Sequence, residues 1–496
     1  MLKIEMNSLI KLFNFPKIKT IIFSILFFLG LLFPAPKSFA EKKLKIAIIP
    51  FTNLSGKTEN DWIGAGFSET MVTALSNLKN VQITERFLMN QVLKEISFQQ
   101  SGFIDDRSLV KVGKLTGANI IISGSFQIAN TEIVVNSRFI DLEKGTVENG
   151  SGMYIRGEVA KIFDLEEKLA QQFNQKFSLI PTEQEDKNMK SVIYSTNSVK
   201  ANKLYLKARG RYMNGGFNGK KEAIDILKEA INLDPNYALA LALLGEIEIE
   251  YFNTNKIFNE VFRVNQNVDS FYKDGLNHIK KAVSLAPGSF EVNRSMAKIL
   301  ILDKKEKEAQ LFLNKALAIK SDDVSSIIIQ AFSNKENQLD YINKALEIDK
   351  FNYEVYFAYG RYYLYYNEKP DYEKAVSNLL KSVELNPYSW EANMQLVQAY
   401  MRAKDFTSAI AWAERMILME KDVIGYIVAA SAYLGSGNLE KIKELYIEID
   451  KMVDTPFVKT ILVGFYIRDN DYKSAFTLAK NGLEKFLMIR IIVPYL

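Results

Sequence analysis

The residue types that carry most enzyme chemistry are rare in this chain of 496 residues. It contains no cysteine and a single histidine, His278. A chain without cysteine forms no disulfide, no thiolate zinc site and no CxxC redox centre. One histidine argues against a Ser-His-Asp triad and against a metal site with several histidine ligands. We therefore do not expect these classes of catalysis, and we predict that His278 lies on a solvated helix surface.

Two glycine-rich segments approach nucleotide-binding motifs without completing them. Residues 215–221, Gly-Gly-Phe-Asn-Gly-Lys-Lys, lack the first glycine of a phosphate-binding loop and the Ser or Thr that follows its Gly-Lys. Residues 64–69 lack the third glycine of a dinucleotide fingerprint and do not follow a predicted strand. We predict no catalytic residue, no cofactor and no metal site, and we expect that the chain is not an enzyme.

The charge balance points away from nucleic acid and anionic lipid as partners. The formal net charge is +5, but residues 1–40 hold five Lys and one Glu, which leaves 58 basic and 57 acidic residues in the rest of the chain. A nearly neutral chain has no electrostatic preference for a phosphate backbone. We expect protein partners and no nucleic acid, with membrane contact only through an uncleaved N-terminal segment.

Residues 1–40 have the pattern of an export signal. Lysines precede an unbroken apolar run at residues 21–33, two prolines follow it, and Ser38 and Ala40 stand at the −3 and −1 positions of a cleavage site. The run has about 13 residues, whereas a membrane-spanning helix needs about 20. We expect cleavage and a periplasmic protein. The alternatives are an uncleaved signal that anchors the chain in the inner membrane, and an association with the outer membrane.

Residues 43–178 alternate between strand and helix patterns. Lys45–Phe51 is a short apolar run typical of a buried strand, and Asp61–Leu78 has apolar residues at helical spacing. The predicted order β-α-β-α-α-β-β-β-α indicates an α/β domain with a mixed sheet. The other predicted elements are a strand at Val81–Thr84, helices at Arg86–Ile96 and Arg107–Thr116, strands at Asn119–Ile128, Glu132–Asp141 and Thr146–Arg156, and a helix at Ile162–Phe177.

Three segments of this domain, residues 45–56, 72–96 and 116–147, resemble the periplasmic domain of the curli-secretion (CsgG) family and the related FlgO-like and TolB-type domains. The resemblance implies an envelope protein; the curli component itself is a lipid-anchored, oligomeric outer-membrane pore. This chain lacks the lipidated cysteine, and the tight turn between Phe126 and Ile133 leaves no membrane-crossing strands. We therefore do not expect a pore, and we keep a membrane-associated secretion or pore-complex component as an alternative function.

From residue 197 onwards the sequence repeats with a period near 34 residues. A small or apolar residue recurs at anchor positions with spacings of 52, 34, 29, 37, 34, 33 and 33 residues. This pattern resembles tetratricopeptide (TPR) repeats, helix pairs that stack into a superhelical solenoid. We predict about eight pairs over residues 197–496, an insertion near residues 253–270, and a polar linker at residues 179–196. The anchors are Ala230, Ala282, Ala316, Ala345, Ser382, Met416, Ile449 and Gly482.

The concave face of such a solenoid is built from the first helix of each pair and typically binds an extended peptide or a partner's helix. Residues 356–366 hold six tyrosines, and we expect Tyr365 or Tyr366 to be at the surface. By repeat register, the candidate partner-binding groove consists of Phe357, Arg361, Tyr365, Met394, Gln398, Met401 and Arg402.

These patterns predict an α/β domain followed by an all-α TPR solenoid. The leading functional hypothesis is an exported, non-catalytic scaffold or assembly protein of the bacterial envelope. In this hypothesis the solenoid binds a protein partner, and the α/β domain docks to an envelope complex or self-associates. A further alternative is an envelope sensor or enzyme that binds a small ligand with its α/β domain.

Overall fold

The computed structural model describes residues 43–83, 118–141, 146–147, 152–262, 268–334 and 336–481. The expected export signal, the helices predicted at residues 86–96 and 107–116, and the chain from residue 482 onwards lie outside the described residues. Within the described residues, no helix combines the length and the apolar character needed to cross a membrane.

One mixed sheet forms the first part of the chain. Its strands are β1 (Leu44–Ile48), β2 (Thr52–Asn53), β3 (Val81–Ile83), β4 (Ile120–Ala129), β5 (Glu132–Asp141), β6 (Thr146–Val147) and β7 (Met153–Glu158). They lie in the order β3-β1-β4-β5-β6, with β2 alongside β4 and β7 alongside β5. β1 is parallel to β3 and β4, whereas β4 and β5 form an antiparallel hairpin. Asn130 turns this hairpin with a φ of 57°, a left-handed conformation that Asn tolerates.

The single strand predicted at residues 146–156 is wrong, because β6 and β7 are separate strands that pair with different parts of β5. Val147 pairs with Ile140, and Met153 pairs with Ser137. The chain takes six steps from Val147 to Met153 while β5 takes three, so the two pairings do not belong to one continuous ladder.

The core of this domain lies between the sheet and helices α1 (Asp61–Ser76) and α2 (Ile162–Lys176). Phe67 of α1, Phe126 of β4 and Phe173 of α2 are fully buried in one apolar cluster. The helices predicted from apolar spacing at residues 61–78 and 162–177 are thus confirmed, and each buries the apolar face that predicted it.

The linker predicted at residues 179–196 is wrong, because most of it is a capped helix, α3 (Glu183–Ile193). Thr182 and Glu185 form a capping box: the Thr182 side chain accepts from the Glu185 backbone N–H, and Glu185 accepts from the Thr182 N–H at 2.8 Å. Met189 and Ile193 are buried in the apolar cluster of the α/β domain. The segment is polar on average, yet these two residues share one helix face, and that face is what packs.

The rest of the chain is a solenoid of antiparallel helix pairs, which confirms the TPR prediction. Repeats 1 to 8 are numbered here by pair, and repeat 8 consists of its first helix and a helical segment described to residue 481. The extra residues of repeat 2 lengthen its first helix to 25 residues. The helices are α4 (Val199–Asn214), α5 (Phe217–Leu233), α6 (Ala238–Phe262), α7 (Asp269–Leu285), α8 (Phe290–Leu302), α9 (Glu306–Ile319), α10 (Val324–Ser333), α11 (Gln338–Ile348), α12 (Tyr353–Arg361), α13 (Tyr372–Leu385), α14 (Trp390–Arg402), α15 (Phe406–Met419), α16 (Val423–Ser436), α17 (Leu439–Met452) and α18 (Pro456–Arg468).

Small residues stand where the two helices of a pair cross. Ala223, Ala309 and Ala375 on the second helices have no exposed surface. At Gly275 a Cβ atom would lie 2.8 Å from Cγ1 of Ile249, so a larger side chain would force α6 and α7 apart. These positions set the close packing on which the repeat depends.

The α/β domain packs directly on the solenoid at two places. Near repeat 1, Glu69 of α1 forms an ion pair with Arg209 of α4, and the Lys203 ammonium lies 5.6 Å from the Trp62 ring. At the β3 edge, the buried Lys320 Nζ donates to the Val81 carbonyl at 2.9 Å. The edge strand β3 is therefore held by the solenoid rather than left open to water.

Candidate protein-interaction site

The first helices of repeats 5 and 6 carry the residues predicted to form the groove, and the first helix of repeat 4 lies beside them. These helices, α10, α12 and α14, are successive first helices of the solenoid and lie side by side. α12 continues into one π-helical turn, Tyr362–Tyr366. A π turn holds more residues than an α turn and changes the direction of the side chains that follow, and such turns are frequent at functional sites. Tyr365 and Tyr366 owe their placement to it.

One half of the site is built around Arg361. Its guanidinium lies 4.6 Å from the ring centroid of Phe332 on α10 and 5.9 Å from that of Phe357 on α12. The Phe332 ring in turn lies 5.4 Å from the ring of Tyr366. Cation–π contacts of this kind hold the guanidinium in place and leave its N–H groups free to bind a ligand.

The other half is built around Tyr365. Its hydroxyl donates to Oε1 of Gln398 at 2.6 Å and lies 3.0 Å from Oε1 of Gln395. The Arg402 guanidinium lies 5.6 Å from the Tyr365 ring centroid. The Tyr365 ring therefore connects α12 to α14 and carries an arginine beside it.

Both arginines act on the same tyrosine. Burial raises the pKa of Tyr365, and the positive charges of Arg402 and Arg361 oppose that rise. Among the residues that the structure describes, neither arginine forms an ion pair with Asp or Glu. The site thus presents two cations on aromatic rings, and neither is ion-paired to a carboxylate of the described part of the chain.

The structure brings together five of the seven predicted groove residues. We call this surface the arginine–tyrosine stripe; it consists of Phe332, Phe357, Arg361, Tyr365, Tyr366, Gln395, Gln398 and Arg402. Tyr365 and Tyr366 are 42% and 40% exposed, as the sequence predicted for one of them. The other two predicted residues, Met394 and Met401, are half-buried and pack against the apolar cluster of repeats 6 and 7.

Phe332 and Gln395 were missed by the sequence reasoning. Repeat 4 is shorter than the standard period, because Ala345 follows Ala316 at a spacing of 29 residues. Repeat register therefore misplaces the end of α10, where Phe332 lies. Gln395 is adjacent to Met394 on α14, and only the position of the Tyr365 hydroxyl distinguishes it. A search for aromatic residues on first helices would have found Phe332.

The glycine-rich segment at residues 215–221 and His278 have structural roles in the solenoid. Residues 215–221 form the turn between α4 and α5 and the start of α5. His278, expected on a solvated surface, is half-buried, and its Nδ1 lies 2.7 Å from Oε2 of the buried Glu248. Within the described residues, no group of three or more His, Cys, Asp or Glu side chains is arranged to hold a metal ion.

Comparison with known proteins confirms the resemblance of the first domain to the CsgG family. A family model described as "Curli production assembly/transport component CsgG" matches residues 34–143. A protein named "Putative adenylate cyclase 3" from Rhizobium meliloti (strain 1021) is 24% identical over 210 residues, which are 42% of this chain and 33% of that protein. The chain therefore spans about a third of the length of that relative.

Solved TPR-like structures resemble the chain at low identity. PilF of Pseudomonas aeruginosa is 17% identical with a TM-score of 0.32, over 38% of this chain and 88% of its own. YrrB, a TPR protein with an unusual peptide-binding site, is 19% identical with a TM-score of 0.26, over 35% and 91%. Human IFIT1 with m7Gppp-AAAA is 15% identical with a TM-score of 0.39, over 80% and 93%. These scores carry no functional argument. From the family match and the helix pairs themselves, the chain joins a CsgG-like α/β domain to a tetratricopeptide-repeat solenoid.

Proposed function

We propose that this protein is a non-catalytic scaffold of the bacterial envelope that binds a protein partner through the arginine–tyrosine stripe. The observation that carries the proposal is the pair of arginines, Arg361 and Arg402, held against aromatic rings on neighbouring repeats without an acidic partner among the described residues. Two such cations on neighbouring first helices of a solenoid are suited to hold a ligand of opposite charge.

The partner that fits this surface is an extended, acidic segment of another protein. Carboxylates would pair with the two guanidinium groups, and apolar side chains would lie on the exposed parts of Tyr365 and Tyr366. Gln398 accepts from the Tyr365 hydroxyl through its side-chain oxygen, so its amide N–H group is directed away from that hydroxyl and can donate to a peptide carbonyl.

An envelope location is supported by the CsgG match over residues 34–143 and by the export pattern of residues 1–40. The same match favours a second candidate function, a membrane-associated component of a secretion complex. Ring-sized cross-links and extraction only with detergent would favour that candidate. A soluble periplasmic protein whose N-terminus is Glu41 would favour the scaffold.

The test uses the full-length mature protein and labelled extended peptides that carry two glutamates at varied spacing, each with its glutamine analogue. We expect a glutamate peptide to bind and its glutamine analogue to bind much more weakly, with an affinity that falls as salt is added. Arg361→Ala and Arg402→Ala should each weaken binding by about tenfold to about a hundredfold, because a hydrogen bond to a charged group contributes about 1.5–3 kcal/mol.

Arg415→Ala provides the matched control, because Arg415 also lies on an aromatic ring, 4.8 Å from the Trp412 centroid, but outside the stripe. We expect it to bind peptides as the unaltered protein does. Equal affinity for glutamate and glutamine peptides, or equal losses in all three variants, would contradict the proposed site.

A further inference from the structure

The turn between α4 and α5 lies against a part of the chain about 200 residues away. In each repeat the first helix runs from one edge of the solenoid to the other, and the second helix returns. The α4–α5 turn of repeat 1 therefore lies on the edge opposite to the beginnings of α14 and α16. Contact between these opposite edges requires the solenoid to complete one superhelical turn. Repeat 1 then lies against repeats 6 and 7 on the next superhelical turn.

Two carboxylates from the distant repeats cap helix α5. Its N-cap residue, Gly216, has no side chain to cap the free N–H groups. The Gly216 N–H donates to Glu420, and the Phe217 N–H donates to Oδ2 of Asp422 at 3.2 Å. Asp422 also caps its own helix, α16, by accepting from the Gly425 N–H at 2.7 Å. The N-terminus of α5 thus depends on a loop from the other end of the solenoid.

Ion pairs and close packing extend the same contact. Lys220 Nζ lies 3.1 Å from Oε1 of Glu391, and Arg211 Nη2 lies 3.4 Å from Oε1 of Glu420. A Cβ atom at Gly216 would collide with Asp422 and would lie 2.6 Å from Nε1 of Trp390. Only glycine lets the turn approach this closely.

The lengthened helix α6 reaches the same place. Its 25 residues exceed the 9 to 16 residues of the other described first helices. In the part that exceeds them, Phe258 is 6% exposed and belongs to the apolar cluster of repeats 6 and 7, together with Trp390 and Val397. The inserted residues therefore bridge two coils of the superhelix.

We propose that the α4–α5 turn and the end of α6 form a clasp that locks the pitch of the solenoid. In an ordinary solenoid each repeat contacts only its neighbours, so curvature varies as small rotations accumulate. A contact between repeat 1 and repeats 6 and 7 joins the two ends of the intervening segment of repeats. The rotations between these repeats can then no longer change independently of one another. This inference concerns the solenoid itself and does not rest on the proposed partner.

The clasp is tested in the full-length protein by Gly216→Val, with Gly288→Val as control. Gly288 lies in the turn between α7 and α8, and a Cβ atom there would meet nothing within 4 Å. We expect Gly216→Val to increase the radius of gyration in solution scattering without loss of helix content. Amide exchange in the first turn of α5 should accelerate about fivefold or more, because a lost cap costs about 1 kcal/mol. Gly288→Val should change neither quantity.

The bridge made by α6 is tested separately by Phe258→Ala, with Ile257→Ala as control because Ile257 is 63% exposed. Trp390 reports the outcome when Trp62 and Trp412, the other two tryptophans, are replaced by Phe. We expect the emission of Trp390 to shift to the red in Phe258→Ala and to stay unchanged in Ile257→Ala.

Restoring the clasp chemically completes the test. The chain has no cysteine, so Lys220→Cys with Glu391→Cys introduces the only thiols, and a short bis-maleimide can join them. In the Gly216→Val background, this link should return the scattering profile to that of the unaltered protein. The proposal is overturned by equal profiles for both glycine variants, by expansion that the link does not reverse, or by global unfolding of Gly216→Val, which would make the contact ordinary core.

Discussion

At the scale of single residues, Glu166 on α2 is a buried carboxyl group with a strongly raised pKa. It is 1% exposed, and within the described residues its Oε2 has no hydrogen-bond partner. Burial raises the pKa of Glu166 from 4.5 to about 8, and a hydrogen bond with Thr70 partly opposes the rise. Between these two values the folded protein keeps a proton that the unfolded chain has released. The free energy of unfolding therefore falls as pH rises across this window, by about 1.4 kcal/mol per pH unit for one group.

Glu166→Gln should remove the fall in the free energy of unfolding with rising pH, because the amide stays neutral at every pH. We expect the variant to melt at a higher temperature than the unaltered protein at pH 8, and both to melt at nearly the same temperature at pH 4.5. Thermal unfolding followed by circular dichroism measures the difference. Glu158→Gln, at an exposed position on β7, should leave the pH dependence as it is. A pH-independent effect of Glu166→Gln would contradict a buried, protonated carboxyl.

At the scale of elements, a few residues stabilise helix α3 although its composition is mostly polar. The capping box of Thr182 and Glu185 fixes its start, and Glu185 also accepts from the Lys79 N–H at 2.9 Å, which joins the helix to the end of α1. Thr182→Ala should lower the free energy of unfolding by about 1 kcal/mol and speed amide exchange in α3, because two backbone donors lose their organised cap. Thr460→Ala, on an exposed face of α18, should lower it by much less. A stability unchanged by Thr182→Ala would mean that packing of Met189 and Ile193 alone holds the helix.

At the scale of the whole molecule, the α/β domain and the solenoid are one packed unit, not two domains on a tether. Lys320 is 7% exposed and bonds the Val81 carbonyl, so Lys320→Met would leave that edge of β3 without its donor. We expect one main calorimetric transition for the unaltered protein, and for Lys320→Met a separate earlier transition of the α/β part, with a loss of about 1–3 kcal/mol. Lys315→Met, an exposed position on α9, should keep a single transition. Two separate transitions in the unaltered protein would contradict the docking.

The sequence by itself determined the features that depend on residues close together in the chain. The apolar spacing of α1 and α2, the β4–β5 hairpin and the TPR period each reflect contacts within one element or between adjacent elements, so the pattern of side chains predicts them. The same local register placed five residues of the arginine–tyrosine stripe on successive first helices. Even the missed helix α3 had its signal in the spacing of Thr182 and Glu185.

Only the tertiary structure decided which distant surfaces meet. Three contacts depend on the pitch of the superhelix, which is the sum of small rotations over many repeats. They are the approach of Gly216 to Asp422, the contact of Lys320 with β3 and the burial of Phe258. No local pattern encodes such a sum. The placement of Phe332 in the stripe likewise depends on a shortened repeat and a π turn. For this protein, periodicity therefore predicts the repeats, whereas the accumulated geometry of all of them decides how the solenoid closes and which side chains it brings together.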